Sequence, residues 1–197
     1  MKLKLLIIIA VSLLAGSACG APSSAEPAAT GMWAQVYPDG RVGGWFLIFQ
    51  QNGVYKGAIA RMFLKPGDDL NPICTHCTGE QKNMPSLGLV IIKGMQRNGL
   101  VYQNGSILDP RDGHIYQAKM TLSPDGQTLT LRGFLGFELL GQNQVWRRLP
   151  DDALPLEQMP PNLVPYWLAL RSPPDETTTR GSGPTQPRTI RRSQSVR

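Results

Sequence analysis

The chain has 197 residues, with 20 lysines and arginines against 14 aspartates and glutamates, a formal charge of +6, two histidines and three cysteines. So few histidines and cysteines make a four-ligand zinc site hard to assemble. No serine sits in a strand-turn-helix elbow and no glycine-rich phosphate loop occurs, which leaves neither a nucleophile nor a phosphate cradle to build an activity on.

Lys2 and Lys4 precede an apolar run over residues 5–15 that ends in small residues. This predicts an export leader over 1–20, because the run is shorter than the ~20 apolar residues that span a bilayer. Cys19 offers a second reading, the lipid-modified first residue of a bacterial lipoprotein. Against it, Gly16 stands three positions before the cysteine, where such sites carry a branched apolar residue. With the leader removed, 18 cations remain against 14 acids. Residues 21–30, rich in Pro, Ala, Ser and Thr without apolar periodicity, read as a linker.

From Gly31 the chain is punctuated by Asp39-Gly40, Asn52-Gly53, Asn98-Gly99, Asn104-Gly105, Asp112-Gly113 and Asp125-Gly126. Such dipeptides supply the positive φ that tight hairpin turns require. They separate candidate strands at 32–37, 42–50, 54–64, 87–95, 100–107, 114–122, 128–134 and 142–149. Period-two alternation puts Trp45, Leu47 and Phe49 on one face, and likewise Tyr55, Ile59 and Phe63, and Tyr116, Ala118, Met120 and Leu122. The predicted fold is all-β, an eight-stranded antiparallel up-and-down barrel over 31–149, which leaves no exposed sheet edge. A barrel of eight strands is either filled by side chains or holds one small ligand.

The longest interruption, residues 65–86, contains Cys74-Thr75-His76-Cys77. In an exported protein the pair reads as a disulfide clip on a long loop. A redox pair would sit at a helix N-terminus, and these cysteines lie between Pro72 and Gly79. Asp39, Asp112 and Asp125 fall in turn dipeptides, where a carboxylate caps the local backbone. Asp68, Asp69 and Glu80 near the cysteines read as a solvated acidic loop. No metal, cofactor or catalytic residue is expected.

After Leu149 frequent prolines argue against regular helix or central strand. Within that segment residues 163–170, Leu-Val-Pro-Tyr-Trp-Leu-Ala-Leu, are too apolar for a free linker, so 150–171 is expected to dock on the barrel as a short helical turn or to present a partner-binding patch. Residues 172–197 have the composition of a disordered tail. Arg188, Arg191, Arg192 and Arg197 make it basic, which outside the cytoplasm suits anionic envelope surfaces and not nucleic acid, the plainer reading being a solvated terminus.

For a site, Gln144, Trp146 and Arg148 alternate on the last strand and Arg132 lies on the one before it. If they face inward they orient the polar head of a ligand, with Trp45, Tyr116 and Trp146 as apolar walls. The alternative is that arginine stacks on Trp33 and seals the barrel floor. Two functions follow, a carrier of a small amphipathic molecule or a filled barrel that interacts through its surface, residues 163–170 and the tail.

Gly31-Met32-Trp33 in the first strand with an arginine in the last resembles the signature of lipocalin-type barrels. From Cys74 onward Cys-x-x-Cys-Thr-Gly, Asp109-Pro110-x-Asp112-Gly113, Tyr116, Leu131-Arg132-Gly133-Phe134-x-Gly136 and Gly141-x-x-Gln144-x-Trp146-x-Arg148 occur in order. This pattern closely resembles the exported bacterial family known as domain of unknown function 2147. The resemblance implies a lipocalin-like barrel in the envelope of a Gram-negative bacterium, without an established activity.

Overall fold

The computed structural model describes residues 26–172. The leader, Cys19 and the four tail arginines lie outside the described residues. Eight strands, β1 (Gly31–Val36), β2 (Val42–Gln51), β3 (Val54–Met62), β4 (Val90–Asn98), β5 (Val101–Leu108), β6 (Ile115–Leu122), β7 (Thr128–Phe134) and β8 (Gln142–Arg148), pair antiparallel in sequence order. β1 closes on β8 through the register Trp33↔Arg148 to Val36↔Val145, so the sheet is a closed barrel.

Turn chemistry explains the hairpins. Asn52 and Gly53 both take positive φ (52° and 78°) and join β2 to β3 in two residues, as a primed turn demands. The carboxylates of Asp39, Asp112 and Asp125 accept the backbone N–H two residues on. Asn104-Gly105, however, is not a turn. It is a bulge inside β5, with a register shift between Tyr102 and Gly105 and φ 62° at Asn104. A Cβ on Gly105 would stand 2.6 Å from the Lys93 carbonyl oxygen, so the close approach of β4 requires glycine there. β4 runs on to Asn98, past the end of its apolar alternation, because Gln96, Arg97 and Asn98 still pair with Gln103, Tyr102 and Val101.

Two apolar clusters lie on opposite sides of the barrel wall. Inside, Trp33, Phe46, Ile48, Tyr55, Met95, Tyr102, Met120, Leu122, Leu131 and Trp146 form one contiguous buried cluster. Phe46 stacks on Trp146 with centroids 4.2 Å apart, and Tyr55 meets Tyr102 edge-on at 4.8 Å. Outside, Met32, Leu47, Phe49, Ala58 and Ala60 are covered by Leu154, Met159, Leu163 and Trp167 of the segment after β8. That segment ends in a regular helix, α1 (Val164–Arg171). Pro165 is compatible with it because it occupies the first turn, where no N–H is needed. Phe49 stacks on Tyr166 at 4.1 Å, and the Gln51 amide donates to the Tyr166 hydroxyl.

The outer cluster corrects one assignment. Trp45, Leu47 and Phe49 do share a face, but it is the outer one, and Phe46 and Ile48 point inward. β2 is apolar on both faces because one packs the interior and the other lies under the C-terminal segment, and alternation cannot say which is which.

Candidate binding site

The two ends of the barrel differ in chemistry. At one end the β2–β3, β4–β5 and β6–β7 turns meet residues 26–30, which are not a free linker. The Arg148 guanidinium lies 4.4 Å from the Trp33 ring centroid and donates to the carbonyls of Ala28 (2.6 Å), Thr30 (2.9 Å) and Gly126 (2.6 Å). The Trp33 indole donates to the Ala29 carbonyl, and the Ala29 N–H donates to the Tyr102 hydroxyl, each at 2.8 Å. Burial pulls the pKa of Arg148 down and pushes that of Tyr102 up. These bonds seal the floor.

The other end, the mouth, carries residues 37–41, 63–89, 109–114 and 135–141. Sixteen large apolar side chains are exposed among the described residues, and all but Val145, Leu156 and Leu168 belong to the mouth-end connections or the strand ends that lead into them. Leu70, Phe137, Leu139 and Leu140 are the most open, at 77–88%. The turns at the closed end carry none of them.

The mouth is stoppered. Cys74 and Cys77 form a disulfide, and both are fully buried within the interior cluster. Their loop is pinned to itself by the Ile73↔Pro85 bridge and by Cys74 N–H to Met84 O and Ser86 N–H to Pro72 O. It packs on the 109–114 connection, where Cys74 Sγ lies 3.4 Å from the Pro110 carbonyl oxygen and Gly113 sits tight against the His76 carbonyl. That connection is braced by Arg111 on Asp109 at 2.5 Å, and the pairing holds the Asp109 carboxyl below its usual range.

The residues expected to form one interior site therefore separate. Gln144 and Trp146 face inward, with the Gln144 Oε1 accepting from Gln35 Nε2 (2.8 Å) and the Trp146 indole (3.3 Å). Tyr116 packs half-buried at the upper edge of the same cluster. Trp146 is wholly enclosed by protein and packs in the interior cluster against Phe46. Trp45 stands on the outer wall. Arg132 also faces outward, because Leu131 and Gly133 take the inward positions of β7. It donates to the Glu138 and Leu139 carbonyls and to Asn143 Oδ1, which ties down the β7–β8 connection. Arg148 is the half-buried floor seal, its guanidinium engaged by Trp33 and three backbone carbonyls. The 163–170 segment is docked, so the face it buries is not free for a partner.

Sequence reasoning missed the 135–141 connection, although its Leu-Gly-Phe-Glu-Leu-Leu run, apolar without alternation between two strands, carries the signal. It also missed Arg61, at the end of β3, whose guanidinium lies 5.0 Å from the Trp45 centroid and 5.4 Å from that of Phe63. Beside Arg61 is a groove of about 170 Å³ on the outer wall, and a second pocket of about 310 Å³ lies over β5 to β7 between Gln103, Gln117, Phe134 and Glu138. Among the described residues no cluster of three metal-ligating side chains occurs, and no helix is long and apolar enough to cross a membrane.

A solved structure with the same fold is protein HP1028 from the human pathogen Helicobacter pylori, described as belonging to the lipocalin family. The match has a TM-score of 0.54 at 15% identity and covers 64% of this chain and 86% of that one. No curated protein matches the chain. The model of the family described as "Uncharacterized protein conserved in bacteria (DUF2147)" matches residues 31–148, from the first residue of β1 to the last of β8. The chain belongs to this bacterial family, in the form of a lipocalin-like barrel.

Proposed function

We propose that this is a non-catalytic binding protein of the bacterial envelope, which takes a small amphipathic molecule on the mouth end of the barrel and not in its interior. The observation that carries the reading is the concentration of exposed apolar side chains at one end of a barrel whose inside is already filled. Exposed apolar surface gathered at one end in this way supports a binding surface there. Export is supported by the leader pattern over 1–20 and by a disulfide that needs an oxidising compartment.

Native mass spectrometry of protein purified from the periplasm of its own host, followed by organic extraction, tests this reading. The expected result is a stoichiometric amphipathic mass that is lost when Phe137 and Leu139 are both replaced by Ser and retained in Leu168→Ser, an exposed site on α1. An apo mass that also fails to take up any added amphiphile would overturn it.

A further inference from the structure

The groove at the end of β3 has an unusual cation in it. Between Phe46↔Ile59 and Trp45↔Arg61 the register of β2 and β3 slips by one residue, so Ala60 is a bulge. Ala60 packs in the outer cluster beside Leu154, and Arg61 stands over Trp45 on the same outer face. The Trp45 and Phe63 rings meet edge-on at 5.6 Å, and both flank the guanidinium.

Among the described residues the Arg61 guanidinium donates no hydrogen bond and has no carboxylate within 4.0 Å. The other half-buried or mouth-end arginines are all engaged: Arg41 with Asp39, Arg97 with Glu26, Arg111 with Asp109, and Arg132 and Arg148 with backbone carbonyls. Arg61 is half-buried, so it is partly withdrawn from water without an anion in return. Next to it Leu64, Leu70, Leu87 and Leu154 line the groove of about 170 Å³. That is smaller than the ~300–1,000 Å³ of a pocket for a drug-sized ligand, which suits a head group and a short stretch of hydrocarbon.

We infer that this groove is the head-group site for an anionic amphiphile, with the Arg61 fork taking a carboxylate or phosphate and the leucines taking the adjoining chain. A planar guanidinium presents paired N–H donors that match two oxygens of either group. The flanking rings fix its plane and exclude water from one side, which strengthens the ion pair relative to one in solvent. The inference rests on the proposed binding of amphiphiles at the mouth end and adds the charge of the head group and the residue that reads it.

The test titrates the full mature chain with three ligands of equal chain length: decanoate, decyl phosphate and neutral decyl maltoside. Calorimetry gives the affinities of the parent protein, Arg61→Gln, Arg61→Lys and Leu70→Glu. The parent should prefer at least one of the two anionic ligands to the maltoside by about tenfold, and the preferred anion separates a carboxylate source from a phosphate one. Arg61→Gln should abolish the preference, and Arg61→Lys should retain part of it. Leu70 is 77% exposed, so Leu70→Glu keeps the fold and should repel the anions selectively. Equal binding of all three ligands by the parent, or a preference that survives Arg61→Gln, overturns the head-group site and leaves amphiphile binding standing. Binding of none of the three overturns both.

Discussion

Trp33 and Arg148 are register partners across the seam where β1 meets β8, and the Arg148 guanidinium covers the Trp33 ring at 4.4 Å. One side chain thus closes the barrel in two senses, by capping the interior and by tying the carbonyls of Ala28, Thr30 and Gly126 beneath it. Arg148→Met would keep the apolar stem but leave three carbonyls without their charged donor. The expected loss is about 2–4 kcal/mol of unfolding free energy, read from urea denaturation. Hydrogen exchange should rise first at residues 28–34 and 126–128. An unchanged urea midpoint would show that the seam holds without the seal.

Trp146 and Arg132 should separate cleanly on substitution. Trp146→Ala removes a wholly buried ring stacked on Phe46 and should cost about 3–5 kcal/mol. Affinity for amphiphiles, measured on the fraction that remains folded, should not change, because the ring faces no open space. Arg132→Ala should cost only about 1–2 kcal/mol, with faster hydrogen exchange confined to residues 135–141, which two of its three hydrogen bonds hold. A binding defect in Trp146→Ala at unchanged stability would restore the interior as the ligand chamber.

The barrel was legible in the sequence because its signals are local. Asn52-Gly53 and Asp125-Gly126 name their own turns, and β6 declares its inward face through Tyr116, Ala118, Met120 and Leu122. The site was less legible because its signals depend on which side of the wall a residue occupies. Trp45 and Phe46 are adjacent and both apolar, and only the C-terminal segment packed over Leu47 and Phe49 decides that Trp45 looks outward. Arg132 and Arg148 look alike in an alternating pattern, yet an odd or even position relative to Leu131 and Trp146 sends one to the surface and the other to the floor. Arg61 is turned outward by a bulge at Ala60, and no residue type in that stretch announces a bulge.

Acid should weaken the turns before the core. The carboxyls of Asp39, Asp109 and Asp125 all titrate below their ordinary range, held mainly by side-chain hydrogen bonds from Arg41, Arg111 and Ser123. Because the folded values lie below the unfolded value of about 3.9, their contribution is complete above that pH and is lost as pH falls through the folded values. The urea midpoint should therefore be flat from neutrality to about pH 5 and fall below about pH 4. The Asp39→Asn, Asp109→Asn, Asp125→Asn triple variant should start from a lower midpoint and show a shallower fall. Identical slopes for the two proteins would assign acid sensitivity to other groups.

The Cys74–Cys77 disulfide should matter more for the mouth than for the barrel. It spans three positions in sequence, so it constrains little of the unfolded chain, and loop-closure entropy for so small a ring is about 2 kcal/mol. Both sulfurs nevertheless lie within the interior cluster, so the clip sets how the stopper sits over the 109–114 connection. Cys74→Ala with Cys77→Ala should lower stability by about 2 kcal/mol, with the far-ultraviolet signature of the barrel intact. Hydrogen exchange should rise over residues 72–86 and 109–114 and stay unchanged at the sealed end around Trp33 and Tyr102. If protection were lost equally at both ends, the disulfide would be holding the whole barrel, and the mouth would not be a separately opening unit.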